Sequence, residues 1–509
     1  MNPDPFASGA QKQSLRFVLA GSAVFIGLFI VFSVRYARMI DWNGIRISPM
    51  FALLHGTPLY SPRNGGVITG NIYPPLATLA YIPCALLSNP SNIMELGSLL
   101  ACVFYFLAFI VLACLAVRRW EVPAIDAGLV LVAAALLTAF DPPLRYTALM
   151  AHADAPGFAL AGLALCLVLF GVNDGRFAWS TAAGALAAAA VLAKQSFIGV
   201  WFALFLWLIR RSWRVAACFA TGATVVTAVF CTILLLSGNW HNFLFNCIYI
   251  PSHHPWDLHA FLLGGDGGGG IIVQRLQAVV ESFLDIAPTW YLWIAVGGWI
   301  LWRSSSAPPA SPISRLNAPV WVFVAQLPLS LMAHKKIGGD VNTLGDSLYF
   351  LLFAVCALAL VTAANRAWSA GRRAALTILI GVLIICNTPR FLFLVHNSSR
   401  PDPNAPMMEF LRKHPNQVYL PWNPLLTGLS DGIDYHFEYG VFDRALAGVP
   451  LAANVYRSHL PSKMRFVAVR RSQPDSSHGT FSSLLPELQE SRAPPGLEEW
   501  RFYAFTPAH

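Results

Sequence analysis

The sequence predicts an all-α polytopic membrane protein with a small C-terminal α/β domain outside the membrane. Of its 509 residues, 56% are apolar and only 12% are charged, and the mean hydropathy is +0.56. In a soluble globular domain, about a quarter of the residues are charged. The apolar residues form long uninterrupted blocks and do not alternate at every second position, which is typical of transmembrane helices and not of a porin-like barrel. The bilayer is therefore the solvent for most of the chain.

About eleven apolar blocks approach the length that a membrane helix needs. They lie at 15–34, 95–117, 123–140, 157–172, 177–193, 196–209, 215–236, 286–302, 319–332, 348–363 and 374–395. The apolar segment 75–87 has only about thirteen residues, so we predict an interfacial or re-entrant helix on the outer face. The membrane domain is predicted to cover 1–395, with a long outer loop at 35–94, and the C-terminal domain to cover 396–509.

Lysine and arginine positions set the predicted orientation. One set of short loops is rich in these cations and poor in acids, and such loops stay in the cytoplasm. We therefore expect a cytoplasmic N-terminus and a periplasmic C-terminal domain, in the inner (plasma) membrane of a bacterium. Arg35 and Arg38 follow the first block where a cleavage site would have to lie, so this helix is expected to be retained. The net charge of +9 requires no nucleic-acid partner, because the cytoplasmic loops face anionic membrane lipids.

The polar tail predicts a small α/β domain. Its patterning predicts an amphipathic helix at 406–413 and strands at 417–420, 466–469 and 500–505. The nine cysteines lie in the apolar blocks and none lies in the tail, so neither a disulfide framework nor a zinc site is predicted. The glycine-rich segment 264–270 lacks the Gly-Lys-Ser/Thr of a phosphate-binding loop, and we predict an extracytoplasmic loop or lid there.

The first outer loop contains the most informative acid, Asp41, just beyond the first span. A carboxylate at the membrane surface, beside a loop rich in Tyr, His, Asn and Gly, can deprotonate a hydroxyl group that is delivered to it. The alternative is a structural role, in which Asp41 caps the next helix or pairs with Arg38 or Arg46. The spacing of the residues does not decide between these roles.

The motifs that follow Asp41 add a resemblance to a known family. Gly56 to Tyr60 read GTPLY, and Tyr73 to Leu76 read YPPL and open a short apolar helix. This order resembles the first outer loop of polyprenyl-phosphate-sugar-dependent glycosyltransferases of the GT-C superfamily, above all the mannosyltransferase-like branch and the bacterial dolichyl-phosphate-mannose-type relatives. The resemblance implies a GT-C-like fold, a polyprenyl-phosphate sugar as the donor, and the role of catalytic base for Asp41. Many protein O-mannosyltransferases have Asp-Glu here, whereas this chain has Asp41-Trp42, which argues against that branch.

Three further segments resemble the same family on one predicted face of the membrane. They are YTALMAHAD at 146–154, AKQS at 193–196 and KKIGGDVN at 335–342. Together with the charges of the outer loops, they give the expected substrate-binding residues. These are Arg38, Tyr60, Tyr73, Arg145, His152, Asp154, Lys194, Gln195, Lys335, Lys336 and Asn342.

Several of these residues also have ordinary explanations. Lys194 lies between two short apolar blocks, where an ammonium group costs about 2.5 to 3.5 kcal/mol unless it meets water or an anion. A donor phosphate, Asp154 or the lipid headgroups can compensate it. The loop cations can be solvated surface charges, and Tyr60 and Tyr73 can be interfacial anchors.

The implied reaction is a direct displacement. Asp41 takes the proton of an acceptor hydroxyl while the oxygen attacks the anomeric carbon opposite the lipid phosphate, so the configuration inverts. Phosphate leaves without protonation and needs only charge stabilisation by Lys or Arg, so one carboxylate suffices. No cofactor is expected to be required. A divalent cation held by Asp154, Asp340 and Asp346 stays an alternative, although their spacing forms no recognisable metal-binding loop.

Other functional classes were weighed against this one. A polytopic transporter or flippase for a lipid-linked or anionic substrate is the main alternative, but the internal repeats that are common in transporters are absent. A non-catalytic assembly subunit and a membrane polymerase or ligase are further alternatives. The expected partners are the lipid-linked donor, membrane lipids and an acceptor that is a glycan, a lipid or a protein. The sequence does not identify the sugar, the acceptor, the lipid chain or the oligomeric state.

Overall fold

The computed structural model describes residues 9–171, 177–255, 280, 288–306, 312–336, 342–365, 368–472 and 480–505. Twelve helices precede residue 255: α1 (Gly9–Tyr36), α2 (Asp41–Leu54), α3 (Leu76–Leu79), α4 (Pro90–Arg119), α5 (Ala124–Phe140), α6 (Pro142–Leu149), α7 (Asp154–Gly171), α8 (Phe177–Val191), α9 (Ile198–Ile209), α10 (Trp213–Leu236), α11 (Trp240–Leu244) and α12 (Ile250–His253). The later helices of the apolar part are α13 (Pro288–Ser305), α14 (Pro312–Arg315), α15 (Asn317–Lys335), α16 (Asn342–Asn365) and α17 (Ala370–Ser398).

A helix lies at each of the eleven predicted spans. Among the described residues, seven helices are long and apolar enough to cross a membrane, and an eighth if α5 and α6 form one bent span. α8 and α9 are shorter apolar helices. The fold class of a polytopic α-helical membrane protein is therefore confirmed, whereas the number of eleven spans is not.

Two prolines cause the bend between α5 and α6. The helix axes differ by 101° at this break. Pro142 and Pro143 occupy the first positions of α6, and proline lacks the N–H group that would continue the preceding helix. The Asp141 side chain accepts a hydrogen bond from the Leu144 backbone N–H and so caps α6. The bend turns the chain toward His152 and Asp154.

The short predicted segment 75–87 is confirmed as too short for a crossing. It forms α3 and then a single 3-10 turn at Ile82–Leu86. The Leu76 backbone N–H donates to the Leu192 carbonyl at 3.0 Å, which fixes this segment against the end of α8.

The connection between α8 and α9 is an extended residue, Lys194, followed by a 3-10 turn at Gln195–Phe197. α8 packs with backbone contact on α10, since a Cβ atom added to Gly184 would lie 1.9 Å from the Phe219 carbonyl oxygen. Only glycine permits so close an approach. Lys194, which follows shortly after α8, is buried.

The C-terminal part forms a small α/β domain around one four-stranded sheet. Its elements are α18 (Ala405–Lys413), β1 (Val418–Tyr419), α19 (Pro424–Asp431), α20 (Glu438–Leu446), α21 (Ala453–Arg457), β2 (Phe466–Arg470), α22 (Thr480–Leu484), β3 (Leu488–Ser491) and β4 (Trp500–Phe505). The strand order is β1-β2-β4-β3, with β1 parallel to β2 and the other pairs antiparallel. The predicted helix and three predicted strands are confirmed. β3 was missed because its sequence, LQES, is polar and has no buried residue.

The C-terminal domain packs on the first outer loop. The Phe437 backbone N–H donates to the Ile68 carbonyl at 2.8 Å. The buried Arg444 donates to the carbonyls of Ser61, Pro62 and Arg63 at 3.3, 2.9 and 3.0 Å. These contacts fix α20 against the first outer loop, while α19 packs on α2 and the hydrogen bond between Arg470 and Asp41 joins β2 to α2, where the candidate site lies. The domain boundary at residue 396 stays a prediction, and α17 ends at Ser398.

Candidate active site

A cavity of about 190 Å³ lies where the ends of the apolar helices meet the C-terminal domain. We call it the site cavity. It is lined by Trp42, Arg46, Ile72, Tyr73, Tyr146, His152, Lys194, Gln195, Ser196, Pro251, His254, Ala333, Lys336, Asn342, Thr343 and Tyr439. Six residues expected from the sequence are among them, namely Tyr73, His152, Lys194, Gln195, Lys336 and Asn342. The lining therefore combines segments that are far apart in the chain.

A buried charge cluster forms one wall of the site cavity. The Lys194 ammonium contacts the Asp154 carboxylate and donates to Asp346 Oδ2 at 2.8 Å. Asn342 Nδ2 donates to Asp154 Oδ2 at 2.9 Å, and Ser196 Oγ donates to Asp346 Oδ2 at 3.0 Å. Neither carboxylate is part of the cavity lining, whereas Lys194, Ser196 and Asn342 of the cluster are. Asp154 therefore compensates the charge of Lys194, as one of the expected alternatives had it. Asp346 is a second acid that does so.

His152 joins this cluster to the aromatic side of the cavity. Its Nδ1 lies 2.8 Å from Asp154 Oδ2, and its Nε2 lies 3.3 Å from the Tyr73 hydroxyl. Burial lowers the pKa of His152, and the neighbouring Asp154 carboxylate only partly opposes this effect. In the neutral imidazole of His152, Nδ1 carries the proton and points it at the Asp154 carboxylate. Nε2 then accepts a hydrogen bond from the Tyr73 hydroxyl.

Arg46 lies among three aromatic rings on the opposite wall. Its guanidinium carbon is 4.6 Å from the Trp42 ring, 5.3 Å from Tyr73 and 4.8 Å from Tyr439. It also donates to the Tyr439 hydroxyl at 3.2 Å. Each such cation–π contact contributes about 0.5 to 2 kcal/mol, depending on how far it is desolvated. The rings fix the direction of the guanidinium while leaving it partly exposed in the cavity.

The site cavity has a positive lining. Arg46, Lys194 and Lys336 are cations, His152 and His254 are histidines, and the lining set contains no carboxylate. Lys336 Nζ also contacts the Pro251 carbonyl. Because clustered cations in a low-dielectric cleft attract anions, the cavity fits a phosphate group better than a cationic or apolar ligand.

Asp443 of α20 lies behind His254. Asp443 Oδ1 is 3.5 Å from His254 Nε2, and both side chains are buried. Burial raises the pKa of Asp443 to about 7, although Arg46 and Lys336 oppose the shift. Asp443 and His254 are 189 positions apart in sequence, so only the tertiary structure pairs them.

Asp41, the expected catalytic base, begins α2 directly before the cavity residue Trp42. Its carboxylate is buried and accepts a hydrogen bond of 2.7 Å from Arg470 of β2. Arg470 also lies 3.6 Å from the exposed Glu499. Asp41 itself is not part of the cavity lining, and its catalytic role stays a prediction.

Three expected substrate-binding residues lie away from the lining. Arg38 donates to the carbonyls of Ser398 and Arg400, both at 2.8 Å. The Tyr60 hydroxyl donates to the Tyr73 carbonyl at 3.2 Å and so supports the wall from behind. Arg145 donates to the Ala139 carbonyl at 2.9 Å.

Some expectations fall on parts of the chain that the structure does not describe. The side chain of Lys335, the acid Asp340 and the glycine-rich segment 264–270 lie outside the described residues. The described residues contain no group of three or more His, Cys, Asp or Glu side chains that could hold a metal ion. Asp154 and Asp346, two of the three acids considered for a cation, share the Lys194 ammonium instead. The need for a cofactor stays untested.

Sequence reasoning missed several cavity residues. They are Trp42, Arg46, Tyr146, His254 and Tyr439, together with the ion-pair partners Asp443 and Arg470. Trp42 and Arg46 are four positions apart, which places them on the same face of one helix and could have suggested an aromatic-backed cation. The residues of the C-terminal domain gave no comparable signal.

The fold defines a polytopic membrane protein with a cation-lined cavity, and comparison with known proteins specifies its class. The profile of glycosyltransferase family 87 matches residues 71–325, which is half of the chain. The chain belongs to glycosyltransferase family 87. The predicted resemblance to GT-C membrane glycosyltransferases is thereby confirmed, and nothing supports the transporter alternative.

Solved structures agree on the fold. The chain is similar to ArnT from Cupriavidus metallidurans bound to undecaprenyl phosphate, with a TM-score of 0.57 and 14% identity over 96% of this chain and 98% of that one. For ArnT from the same organism in the apo state, the TM-score is 0.56 and the identity is 15% over 98% of both chains. No curated protein matches the sequence.

Proposed function

We propose that this protein transfers a hexosyl residue, mannosyl by the resemblance of its first outer loop, from a polyprenyl-phosphate donor to an acceptor hydroxyl with inversion. The observation that carries the proposal is the site cavity, in which three cations and no carboxylate line the space at the ends of apolar helices. A lipid-linked phosphate lies at this depth, between the hydrocarbon core and the water. The structure of ArnT bound to undecaprenyl phosphate supports this class of donor by analogy of fold.

The cations have a defined task in the reaction. The donor is a phosphodiester with one negative charge, and breaking its bond to the anomeric carbon releases a phosphate monoester with up to two. Arg46 and Lys336 stabilise the charge that develops on the leaving oxygen, so this oxygen needs no proton. Lys194 is already paired with two carboxylates and is held at the cavity wall by a 3-10 turn, so its ammonium can donate a hydrogen bond to the phosphate but adds no net positive charge.

Asp41 is the proposed base. The acceptor O–H bond breaks as its proton moves to the carboxylate, and the acceptor oxygen forms the new bond to the anomeric carbon. Asp41 lies one residue from Trp42 at the cavity wall, and its carboxylate is held by Arg470. An acceptor that reaches Asp41 must share or displace this hydrogen bond. The C-terminal domain therefore takes part in presenting the base.

The membrane placement and the acceptor belong to the same proposal. We place the enzyme in the inner membrane of a bacterium, with the site cavity and the C-terminal domain on the periplasmic side. The acceptor is a glycan, lipid or protein hydroxyl, and no metal ion is required. An alkaline phosphatase fusion after residue 505 is expected to be active, because the reporter folds only outside the cytoplasm. An inactive fusion beside an active one in a known periplasmic loop would contradict the orientation.

Transfer of a labelled sugar tests the function. Purified protein in nanodiscs is incubated with radiolabelled polyprenyl-phosphate mannose or glucose and a membrane lipid extract, and we expect a labelled product from the mannosyl donor. Asp41→Asn is expected to lower turnover by at least about 10²-fold, in the range of a lost general base, while donor binding is kept. Asp402→Asn, an acid that accepts from Ser91 Oγ away from the cavity, is the matched control. Equal turnover in Asp41→Asn and wild type would exclude Asp41 as the base.

A further inference from the structure

A second cavity lies at the other end of the helices that carry the active site. It has a volume of about 350 Å³ and is lined by Trp207, Arg210, Arg211, Leu301, Asn317 and Trp321. α9 leads from the site-cavity residue Ser196 to Arg210, and α15 leads from Asn317 back to Lys336. The 19 residues of α15 correspond to about 28 Å of helix, close to the ~30 Å hydrocarbon core of a bilayer. The second cavity is therefore at headgroup depth on the opposite membrane surface.

Two arginines of this cavity rest on two tryptophans. The Arg211 guanidinium carbon is 4.1 Å from the Trp207 ring, and the Arg210 guanidinium carbon is 5.4 Å from the Trp321 ring. Trp207 is buried and gives Arg211 a fixed support. Arg211 also donates to the Ser314 carbonyl at 2.9 Å. Both arginines are exposed, yet these contacts restrict their directions, so the cost of ordering them on a ligand is reduced.

The residues that line the second cavity carry positive charge only. The lining contains two arginines and no carboxylate. Burial and the nearby Arg315 lower the pKa of Arg211, which shows that like charges are gathered here. Arg315 is held in place by its hydrogen bond of 3.0 Å to the Leu169 carbonyl.

Apolar surface surrounds the cavity. The neighbouring side chains Ile209, Trp302 and Trp213 are 46%, 64% and 69% exposed, in a helix bundle whose outer surface faces lipid. A ligand with a phosphate and attached acyl chains can contact both the arginines and this apolar surface. A soluble anion uses only the arginines.

We propose that the second cavity binds the phosphate headgroup of an anionic phospholipid from the leaflet opposite the active site. The planar guanidinium forks of Arg210 and Arg211 match two phosphate oxygens. Trp207 and Trp321 lie at the depth where indole rings are favoured in membranes. The site is separate from the donor site, and its occupant is a structural lipid and not a substrate. This inference does not depend on the proposed transfer reaction.

Retention of lipid by the intact protein tests the inference. The full chain is reconstituted in nanodiscs of equal parts phosphatidylglycerol and phosphatidylcholine, released into mild detergent and weighed by native mass spectrometry. Wild type is expected to retain phosphatidylglycerol over phosphatidylcholine. Each arginine near an anionic lipid surface contributes about 1 kcal/mol, so the double variant Arg210→Gln, Arg211→Gln is expected to retain at least about tenfold less.

Arg214→Gln is the matched control. Arg214 lies 5.7 Å from the Trp213 ring, on the same face of the membrane but outside the cavity. The Arg214→Gln variant is expected to retain as much lipid as wild type. Size-exclusion profiles verify that all variants are folded. If Arg214→Gln lost as much bound lipid as the double variant, the retention would depend only on the general surface charge. That result would overturn the proposed site. The lipid assignment would be overturned if wild type showed no preference for phosphatidylglycerol. It would also be overturned if millimolar inorganic phosphate displaced the bound phosphatidylglycerol.

Discussion

The two walls of the site cavity are built on different physical principles. On the membrane side, Lys194 is neutralised by two buried carboxylates, Asp154 and Asp346, and each contact is between formal charges. On the side of the C-terminal domain, Arg46 is held by three aromatic rings and a tyrosine hydroxyl. A charged side chain deep among apolar helices needs a counter-charge. A partly exposed charged side chain needs only contacts that fix its direction. We therefore expect the membrane wall to control stability and the other wall to control binding of the substrate.

The largest expected effect is on the membrane wall. Lys194→Met leaves Asp154 and Asp346 side by side without their shared cation, and breaking a buried ion pair costs about 3 to 5 kcal/mol. We expect a loss of folded protein, measured as thermal unfolding in detergent. Lys413→Met removes the partner of Glu409 in an exposed pair and should leave the melting temperature almost unchanged. Similar effects of the two substitutions would contradict the proposed role of Lys194 in stability.

The second largest effect is expected from the ion pair between Arg470 of the C-terminal domain and Asp41 of α2. Arg470→Met leaves the buried Asp41 carboxylate without this hydrogen bond, at a cost of about 3 kcal/mol, the lower end of the range for a broken buried pair. The C-terminal domain should then exchange amide hydrogens faster where it contacts α2. Adding Asp41→Asn removes the buried carboxylate charge and should restore part of the protection. No recovery in the double variant would show that the two residues act independently.

Asp443 provides a dependence on pH. Because burial raises its pKa to about 7 in the folded protein, above the value of about 3.9 for an unperturbed Asp, the folded state binds this proton more tightly. Asp443 therefore makes stability fall as pH rises from about 4 to 7, by up to about 4 kcal/mol. Asp443→Asn, which cannot ionise, should flatten the stability curve in that window. A variant curve parallel to that of wild type would exclude a raised pKa.

The aromatic-backed arginine is expected to affect donor binding and leave the fold intact. Arg46→Gln removes one cation from the phosphate pocket, and a hydrogen bond to a charged group is worth about 1.5 to 3 kcal/mol. We expect the KM for the donor to rise at least about tenfold with little change in melting temperature. Arg63→Gln is the control, since Arg63 also lies near two aromatic rings but outside the site cavity. A collapse in stability of Arg46→Gln would remove the contrast between the two walls.

The smallest effect is expected from removal of metal ions. The ammonium of Lys194 lies between Asp154 and Asp346, where a divalent cation would otherwise be placed. Treatment with EDTA should change the rate of sugar transfer less than about twofold, because phosphate departure is stabilised by side-chain cations. Loss of activity that is restored by added magnesium or manganese would refute this expectation.

The comparison of the two walls also shows how much of the site could be predicted from sequence. Lys194 was identified because a cation between apolar blocks is conspicuous, and His152, Asp154 and Asn342 because they lie in family-like motifs. Arg38 and Arg145 carry the same kind of signal but bond to backbone carbonyls away from the cavity. Sequence position marks a charge as unusual. It does not indicate the direction in which the side chain points.

The wall from the C-terminal domain was almost invisible to sequence reasoning. Tyr439 and Asp443 lie on an amphipathic helix of an ordinary small domain, and Arg470 lies at the end of a strand. Tyr439 and Arg470 reach the site only because the C-terminal domain packs on the first outer loop and α2, with hydrogen bonds between residues 393 and 429 positions apart. Asp443 reaches it through His254, 189 positions away. No local pattern encodes a contact over that distance.

The sequence by itself determined that the protein is an α-helical membrane protein, where its apolar helices lie, and that it resembles GT-C glycosyltransferases. These properties follow from hydrophobic blocks and short motifs, which act over one helix length or less. Only the tertiary structure decided which side chains meet: Asp346 with Lys194, Asp443 with His254, and Arg470 with Asp41. The physical reason is that burial makes an ion pair strong, and burial is created by the packing of elements that are distant in sequence.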